Sequence, residues 1–459
     1  MSTAEQPAAS AAPRGIGHWF AGLSGTLGFS TPRRFAVEIA LVLAVCVIAA
    51  AWALFLFNQF EFQRLCRGFD FWFDSDPART VANITSRWVI FHERSVLHPL
   101  YSLLIAGPFG ALEDLFGLST STVTALYVGL QSACFAGAAY IAMRAFGLPR
   151  LDALLGVVLL YSTSAAIYWI GFPEWLAFGA ATMLACVIWI AGPAATRTHA
   201  TGVAQNFISG CISATTWTLG FVASLISDFP KLRWRQAFVH TRDAIALMAT
   251  LTVIQYFFFP TAGGFLNIWR EAGYFLMPSE QGTFLNYIVE FFAHTLAAPE
   301  ARITTANPAD APSWGILLMT SQLQGALLTP LTLAMFALWL VLGGLGVRAA
   351  LKGGVTRPVF VFVVGALLYY FALHAVLGGE VFLFSLHFAP LMVFIALWAT
   401  RSNLKWLARG LCVALIAVSF AHNYPAFRAD VATHNAFDAS WLDRTGHEAS
   451  AIVAQTDCR

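Results

Sequence analysis

The sequence predicts an all-α polytopic membrane protein of about eleven crossings, with interfacial helices in its first extracytoplasmic loop. Three observations predict it. The 459-residue chain is 58% hydrophobic and only 11% charged, against about 25% charged residues in soluble domains. It contains repeated apolar runs that meet the roughly 20 residues needed to cross a 30 Å hydrocarbon layer. Its lysines and arginines also collect in alternate short loops, as cytoplasmic loops require.

Taken in order, residues 1–34 are mostly polar, end in Arg33 and Arg34, and read as a disordered cytoplasmic tail. They are too long and too late for a simple signal peptide, so Phe35 to Phe57 reads as a retained anchor. Further spans are expected at Thr122 to Phe146, Leu151 to Gly171, Phe172 to Pro193, Ala244 to Pro260, Gly325 to Val347, Val359 to Gly378, Leu383 to Ala399 and Leu404 to Ala421. Two segments decide the parity. Leu97 to Phe116 carries Pro99, Pro108, Glu113 and Asp114 and reads as a helix lying at the interface. Val203 to Asp228 is interrupted by "SATTWTLG" and reads as two short halves meeting near Thr215 to Gly220.

With these choices the N-terminus lies inside and the C-terminus outside. Arg144 and Arg150, Arg197, Lys231 to Arg242, Arg348 to Arg357 and Arg401 to Arg409 then all face the cytoplasm. Most of the 26 basic residues fall inside and most of the 24 acidic ones outside. The membrane domain spans 35–421, with a first outer loop at 58–120, a second at 261–322 and an extracytoplasmic tail at 422–459. Five cysteines sit in apolar runs and act there as small hydrophobes. Cys66 and Cys458, in polar segments, are the pair available for a disulfide. Abundant arginine and alanine fit a GC-rich bacterial genome, hence a bacterial inner membrane. No basic stripe with interleaved aromatics is present, which sets nucleic-acid binding aside.

The first outer loop carries the densest chemistry. "FDFWFDSDPARTVANI" places Asp70, Asp74, Asp76 and Arg79 among aromatics just beyond the first span. Asp76 followed by Pro77 is a helix-start signature. The helix is expected to float on the outer interface, with Val81, Ile84, Thr85, Trp88 and Phe91 on one face and Arg79, Asn83 and Arg87 on the other. A partly desolvated carboxylate at this level can act as general base toward a hydroxyl, so Asp74 is a candidate base and Asp76 is either a base or an N-cap. Asp74-x-Asp76 also offers oxygen ligands to a divalent cation; no cofactor is otherwise indicated. His98, in "HPLY", either meets a phosphate, orients a carboxylate or caps the helix starting at Pro99. Glu174, in "GFPEW", sits at the outer end of a span, where it is either functional or favoured by the helix dipole. Glu380 and His387, in "GGEVFLFSLHFAPL", begin another outer span end, with His374 and His294 as weaker candidates. In the second loop "FLNYIVEFFAHTL" reads as an interfacial helix and "PEARITTANPADAPSW" as loop. Serine–histidine, zinc, phosphate-loop and CxxC patterns are absent in recognisable spacing.

The order of these elements resembles the C-type membrane glycosyltransferases, which include protein O-mannosyltransferases and the aminoarabinose transferases of lipid A. One span is followed by the acidic loop "FDFWFDSDP", then "HPLY", similar to an HPPL element. A basic turn "RAFGLPR", an outer "PE" and a late outer turn "FSLHFAPL" come next. The likeness covers roughly residues 35 to 420. It implies an inverting transfer of a sugar from a polyprenyl-phosphate donor in the bilayer to an extracytoplasmic acceptor. The base role would fall on Asp74 or Asp76, a supporting role on His98, and the donor-phosphate role on Arg79 or His387. This chain has one proline where the family has two, and His387 where relatives often carry arginine. Two other readings stand beside it: a transporter or flippase for lipid-linked sugars, and a non-catalytic assembly factor that keeps the fold.

Overall fold

The computed structural model describes residues 32–67, 72–73, 75–89, 92, 95, 97–264, 287–299, 301–305, 316–320, 329–376 and 381–436. Among these, seven helices are long and apolar enough to cross a membrane: Arg34–Phe57, Thr120–Ala145, Trp234–Phe258, Pro330–Gly354, Arg357–Val376, Val381–Arg401 and Lys405–Ala436. Leu176–Ala191 and Ala214–Ile226 are shorter apolar helices. In chain order the α-helices are α1 (Pro32–Phe57), α2 (Phe62–Arg67), α3 (Pro77–Thr85), α4 (Gly107–Phe116), α5 (Thr120–Ala145), α6 (Arg150–Ser162), α7 (Ser164–Trp169), α8 (Leu176–Ala191), α9 (His199–Cys211), α10 (Ala214–Ile226), α11 (Trp234–Phe258), α12 (Pro330–Ala349), α13 (Arg357–Val376), α14 (Ser385–Leu397) and α15 (Lys405–Ala436).

The body is built around α14. Its sequence is apolar on every side, which belongs to a helix surrounded by other helices, and the Val381–Arg401 segment is 83% buried over its apolar window. Helices α8, α12 and α13 pack on it, while α1 lies along α5. That last approach is close because α5 offers Gly137, where a Cβ would sit 2.9 Å from the Cys46 thiol sulfur. Small residues permit such backbone approach between membrane helices.

One end of the body is basic and internally neutralised. Glu38 accepts from Arg144 at 2.8 Å and Arg150 at 2.7 Å, and the Tyr140 hydroxyl donates to it at 3.0 Å. Asp152 pairs with Arg409 at 2.7 Å, and Asp228 with Arg233 at 2.6 Å. Arg401 donates to the Phe146 carbonyl at 2.6 Å, closing the same end.

Four expectations change. The segment Val203 to Asp228 is two antiparallel halves, but they meet at Ile212 and Ser213 rather than at Thr215 to Gly220. The break falls where outside partners exist for the exposed helix ends. Leu100 N–H donates to Cys211 O at 2.8 Å, Ala214 N–H to Leu97 O at 2.9 Å, and His98 Nδ1 to Ile212 O at 3.0 Å. Thr216 remains helical because its hydroxyl returns to Ser213 O at 2.9 Å.

Second, α3 does not float: seven of its nine residues are buried, including Thr80 and Asn83. It ends at Thr85, short of Trp88, and Phe91 lies outside the described residues. Third, residues Ala301–Thr305, read as loop, pair with Ile316–Thr320 in a short two-stranded antiparallel hairpin (β1 and β2), Ala301 opposite Thr320, within an otherwise helical fold. Fourth, α15 does not stop at Ala421 but continues to Ala436, where Asn435 donates to Gln59 O at 2.8 Å.

The helix expected after "HPLY" is present as a π-turn, Ser102–Ala106, leading into α4. Gln255 of α11 serves both faces of that irregularity, accepting from Leu103 N–H and donating to Pro99 O, each at 3.0 Å. In the second loop, Val289–His294 is a π-turn in which Phe291 stacks on Phe388 with ring centroids 4.0 Å apart. Cys66 is disulfide-bonded, and its expected partner Cys458 lies outside the described residues.

Candidate functional site

The end opposite the basic one gathers most of the residues singled out in the sequence. Its floor is aromatic. Trp72 lies between Tyr168 and Phe172, at 5.7 and 5.8 Å with near-parallel rings. Phe73 follows with φ of +48° and is fully buried. A large L-residue in the left-handed region is strained, and such strain persists where surrounding packing over-determines it. Ser75 closes the turn, its N–H donating to Trp72 O at 3.1 Å. Asp70, Asp74 and Glu380 lie outside the described residues.

Asp76 occupies the N-cap position of α3, yet its side chain makes no capping hydrogen bond. Its Oδ2 instead pairs with Arg79 at 2.6 Å. The acceptor at this helix start comes from far along the chain. Glu174, only 7% exposed, accepts from Asp76 N–H through Oε1 at 3.1 Å and from the Thr80 hydroxyl through Oε2 at 3.4 Å. In a capping box the third helical residue supplies such a carboxylate to the N-cap N–H. Here that position is Arg79, so Glu174 takes the role from the loop before α8.

Trp175, next to Glu174, extends the site. Its ring lies 4.2 Å from that of His98 and 5.2 Å from that of His387. Tyr370 stacks 5.9 Å from His387 and 6.2 Å from His374. Space for the His387 ring exists because residue 179 is glycine: a Cβ there would lie 2.6 Å from His387 Nε2. Among the described residues, His387 Nε2, His374 Nε2, Tyr370 OH and Ser385 Oγ are buried with no hydrogen-bond partner. Each such atom costs about 1–3 kcal/mol if left alone.

The predicted residues therefore separate into two linked groups. Asp76, Arg79 and Glu174 form one; His98 and His387 join the other through Trp175. His98 is half-buried, and its Nδ1 donates to Ile212 O at the reversal between α9 and α10. His294 is deeply buried in the second loop, where desolvation pushes its imidazole down to about 4. Among the described residues no group of three or more His, Cys, Asp or Glu is placed to hold a metal.

Three residues at this end carried no mark in the sequence reading: Trp175, Tyr370 and Asp430. The last accepts a hydrogen bond from the buried Tyr168 hydroxyl. The signal for Asp430 was available in the spacing of Asn423, Phe427, Val431 and His434, which all face inward. It was hidden because the polar residues around them read as a tail.

No family model, curated protein or solved structure matches the chain. The fold and composition define an integral, multi-pass helical membrane protein.

Proposed function

We propose that the chain is an inverting glycosyltransferase of the C-type membrane class, with about eleven crossings in a bacterial inner membrane. It would move a hexose or pentose from a polyprenyl-phosphate donor to a cell-envelope acceptor on the extracytoplasmic side. The supporting observation is the convergence of the acidic first loop with the "PE" carboxylate at the end opposite the basic one. Basic ends face the cytoplasm, and a disulfide at Cys66 fits an oxidising compartment on the other side.

In this reading Asp74 removes the proton of the acceptor hydroxyl. The acceptor oxygen forms a bond to the anomeric carbon while the bond from that carbon to the phosphate oxygen breaks. The phosphate leaves with the electron pair, stabilised by cationic and hydrogen-bonding groups at headgroup level. Arg79 and His387 are assigned to that phosphate. Asp76, whose carboxylate is already engaged by Arg79, positions the guanidinium. Glu174 and His98 are positioning residues that fix α3 and the α9–α10 reversal. A divalent cation, if used, would fall to Asp74 and Asp76.

The paired half-length helices α9 and α10, 13 residues each, favour one second reading, a transporter of lipid-linked sugars, since interrupted helices build such sites. One experiment separates the two: label transfer from a panel of polyprenyl-phosphate sugars by the reconstituted protein, run alongside a translocation assay. Transfer lost in Asp74→Asn, at normal abundance and melting temperature, is the expected result. Translocation without transfer from any donor would replace the transferase reading with the transporter.

A further inference from the structure

Beside the candidate site lies a cavity that the transfer reaction does not use. It has a volume of about 400 Å³ and is formed by the end of α3, the face of α4 and the end of α11. Asn83, Arg87, Ala111, Asp114 and Phe258 line it. Its size falls in the range of small-molecule sites, about 300–1,000 Å³. Asn83 lies seven residues beyond Asp76 on α3, about 10 Å along the axis at 1.5 Å per residue.

The polar lining is specific. Asn83 is 8% exposed, and its Oδ1 is buried with no donor among the described residues. Arg87 and Asp114 are both exposed at the cavity and form no salt bridge among the described residues; the Arg87 guanidinium instead lies 4.5 Å over the Trp88 ring. The cavity thus presents one cation, one carboxylate and one orphaned acceptor. Its surroundings are apolar and outward-facing: Phe258 lines it, and Trp88, Leu104 and Phe257, each next to a lining residue in sequence, are exposed as Phe258 is. An aromatic and aliphatic rim of this kind sits against acyl chains at the membrane boundary.

We propose that this cavity binds the headgroup of a phospholipid carrying a primary ammonium. The phosphate meets Arg87 in a charge-assisted contact. The ammonium has three N–H donors, which suit the Asp114 carboxylate and the unpartnered Asn83 Oδ1. The acyl chains lie over the apolar rim. An anionic headgroup leaves Asp114 opposed by no cation. A quaternary ammonium balances charge but donates no hydrogen bond to Asn83. The site would be occupied whether or not the chain transfers sugar.

The test uses the full-length protein, delipidated in detergent and supplied with phosphatidylethanolamine, phosphatidylcholine or phosphatidylglycerol of identical acyl chains. Retained lipid is counted by native mass spectrometry. Phosphatidylethanolamine should be retained about tenfold over the other two, as one good hydrogen bond to a charged group implies. Asp114→Ala should erase that preference, and Arg87→Ala should weaken retention of all three. Ala111→Trp, which fills the space, should abolish retention. Water-soluble glycerophosphoethanolamine should not compete, because it lacks the tail. Equal retention of the three lipids, or unchanged preference in Asp114→Ala, would overturn the proposal. Arg87 and Asp114 are surface residues, so these variants decide the matter even if Ala111→Trp fails to fold.

Discussion

The two ends of this helical body both bury carboxylates, and they treat them differently. At the basic end Glu38 and Asp152 are each held by guanidinium groups at 2.7–2.8 Å, so each of these carboxylates meets an opposite charge. At the other end Glu174 is spent on a backbone N–H and a threonine hydroxyl. On the same side Tyr370, His374, Ser385 and His387 carry buried atoms without partners among the described residues, and Phe73 sits at positive φ. Ion pairing that is complete supports the assembly of helices. Polar groups that are left incomplete, beside strained backbone, belong to a surface that meets something else.

That contrast predicts where substitutions act. On the proposed transferase reading, Glu174→Gln should lower sugar transfer about a hundredfold, the order expected when a positioned acid–base site is lost or misplaced. Its melting temperature should stay near that of wild type, because the amide keeps one acceptor oxygen. A melting temperature that falls in step with transfer would assign Glu174 to the fold alone. At the other end, Asp152→Ala leaves the Arg409 guanidinium without its partner and should destabilise the protein by about 3 kcal/mol. Denaturation in detergent measures this, and residual folded protein should transfer at the wild-type rate. Loss of specific activity per folded molecule would break the distinction between the ends.

A third prediction concerns pH. His92 lies buried in the first loop, with Nδ1 against the Ser102 hydroxyl and Nε2 donating to Ser86 O, both at 2.8 Å. Desolvation pushes its imidazole down to about 4, so the folded protein keeps it neutral where the unfolded chain takes up a proton. Stability from this group is fully present above about pH 6.5 and falls as pH drops toward 4, by at most about 3 kcal/mol. Denaturation midpoints across that window should show the slope, and His92→Gln should flatten it. An unchanged slope in His92→Gln would place the titrating group elsewhere.

Much of this was legible in the chain. The apolar runs, the basic turns and the pairing of α9 with α10 follow from composition and charge, because lipid leaves the backbone few alternatives to helix. The neighbourhood of Asp76 and Glu174 was suggested by two separate outer motifs, though nothing local joined them. What was misread shares one cause. Asn83 was placed on the polar face with Arg79 and Arg87, yet it is buried and lines a cavity. Ala78 and Ala82 are buried too, small side chains on the face by which α3 settles against its neighbours. The break expected at "TTWTLG" moved because Leu97, His98 and Leu100 supply partners near Cys211, about a hundred positions away.

Sequence alone therefore determined that this protein lies in a membrane, the apolar runs that become its seven long helices, and which end is basic. Those are properties of individual side chains and of their summed transfer into lipid. Tertiary structure decided which carboxylate caps α3, where the broken helix turns, and which polar atoms stay without partners. Those depend on contacts such as Asp76 to Glu174, 98 residues apart, and a hydrogen bond across that separation leaves no periodicity in the chain to read.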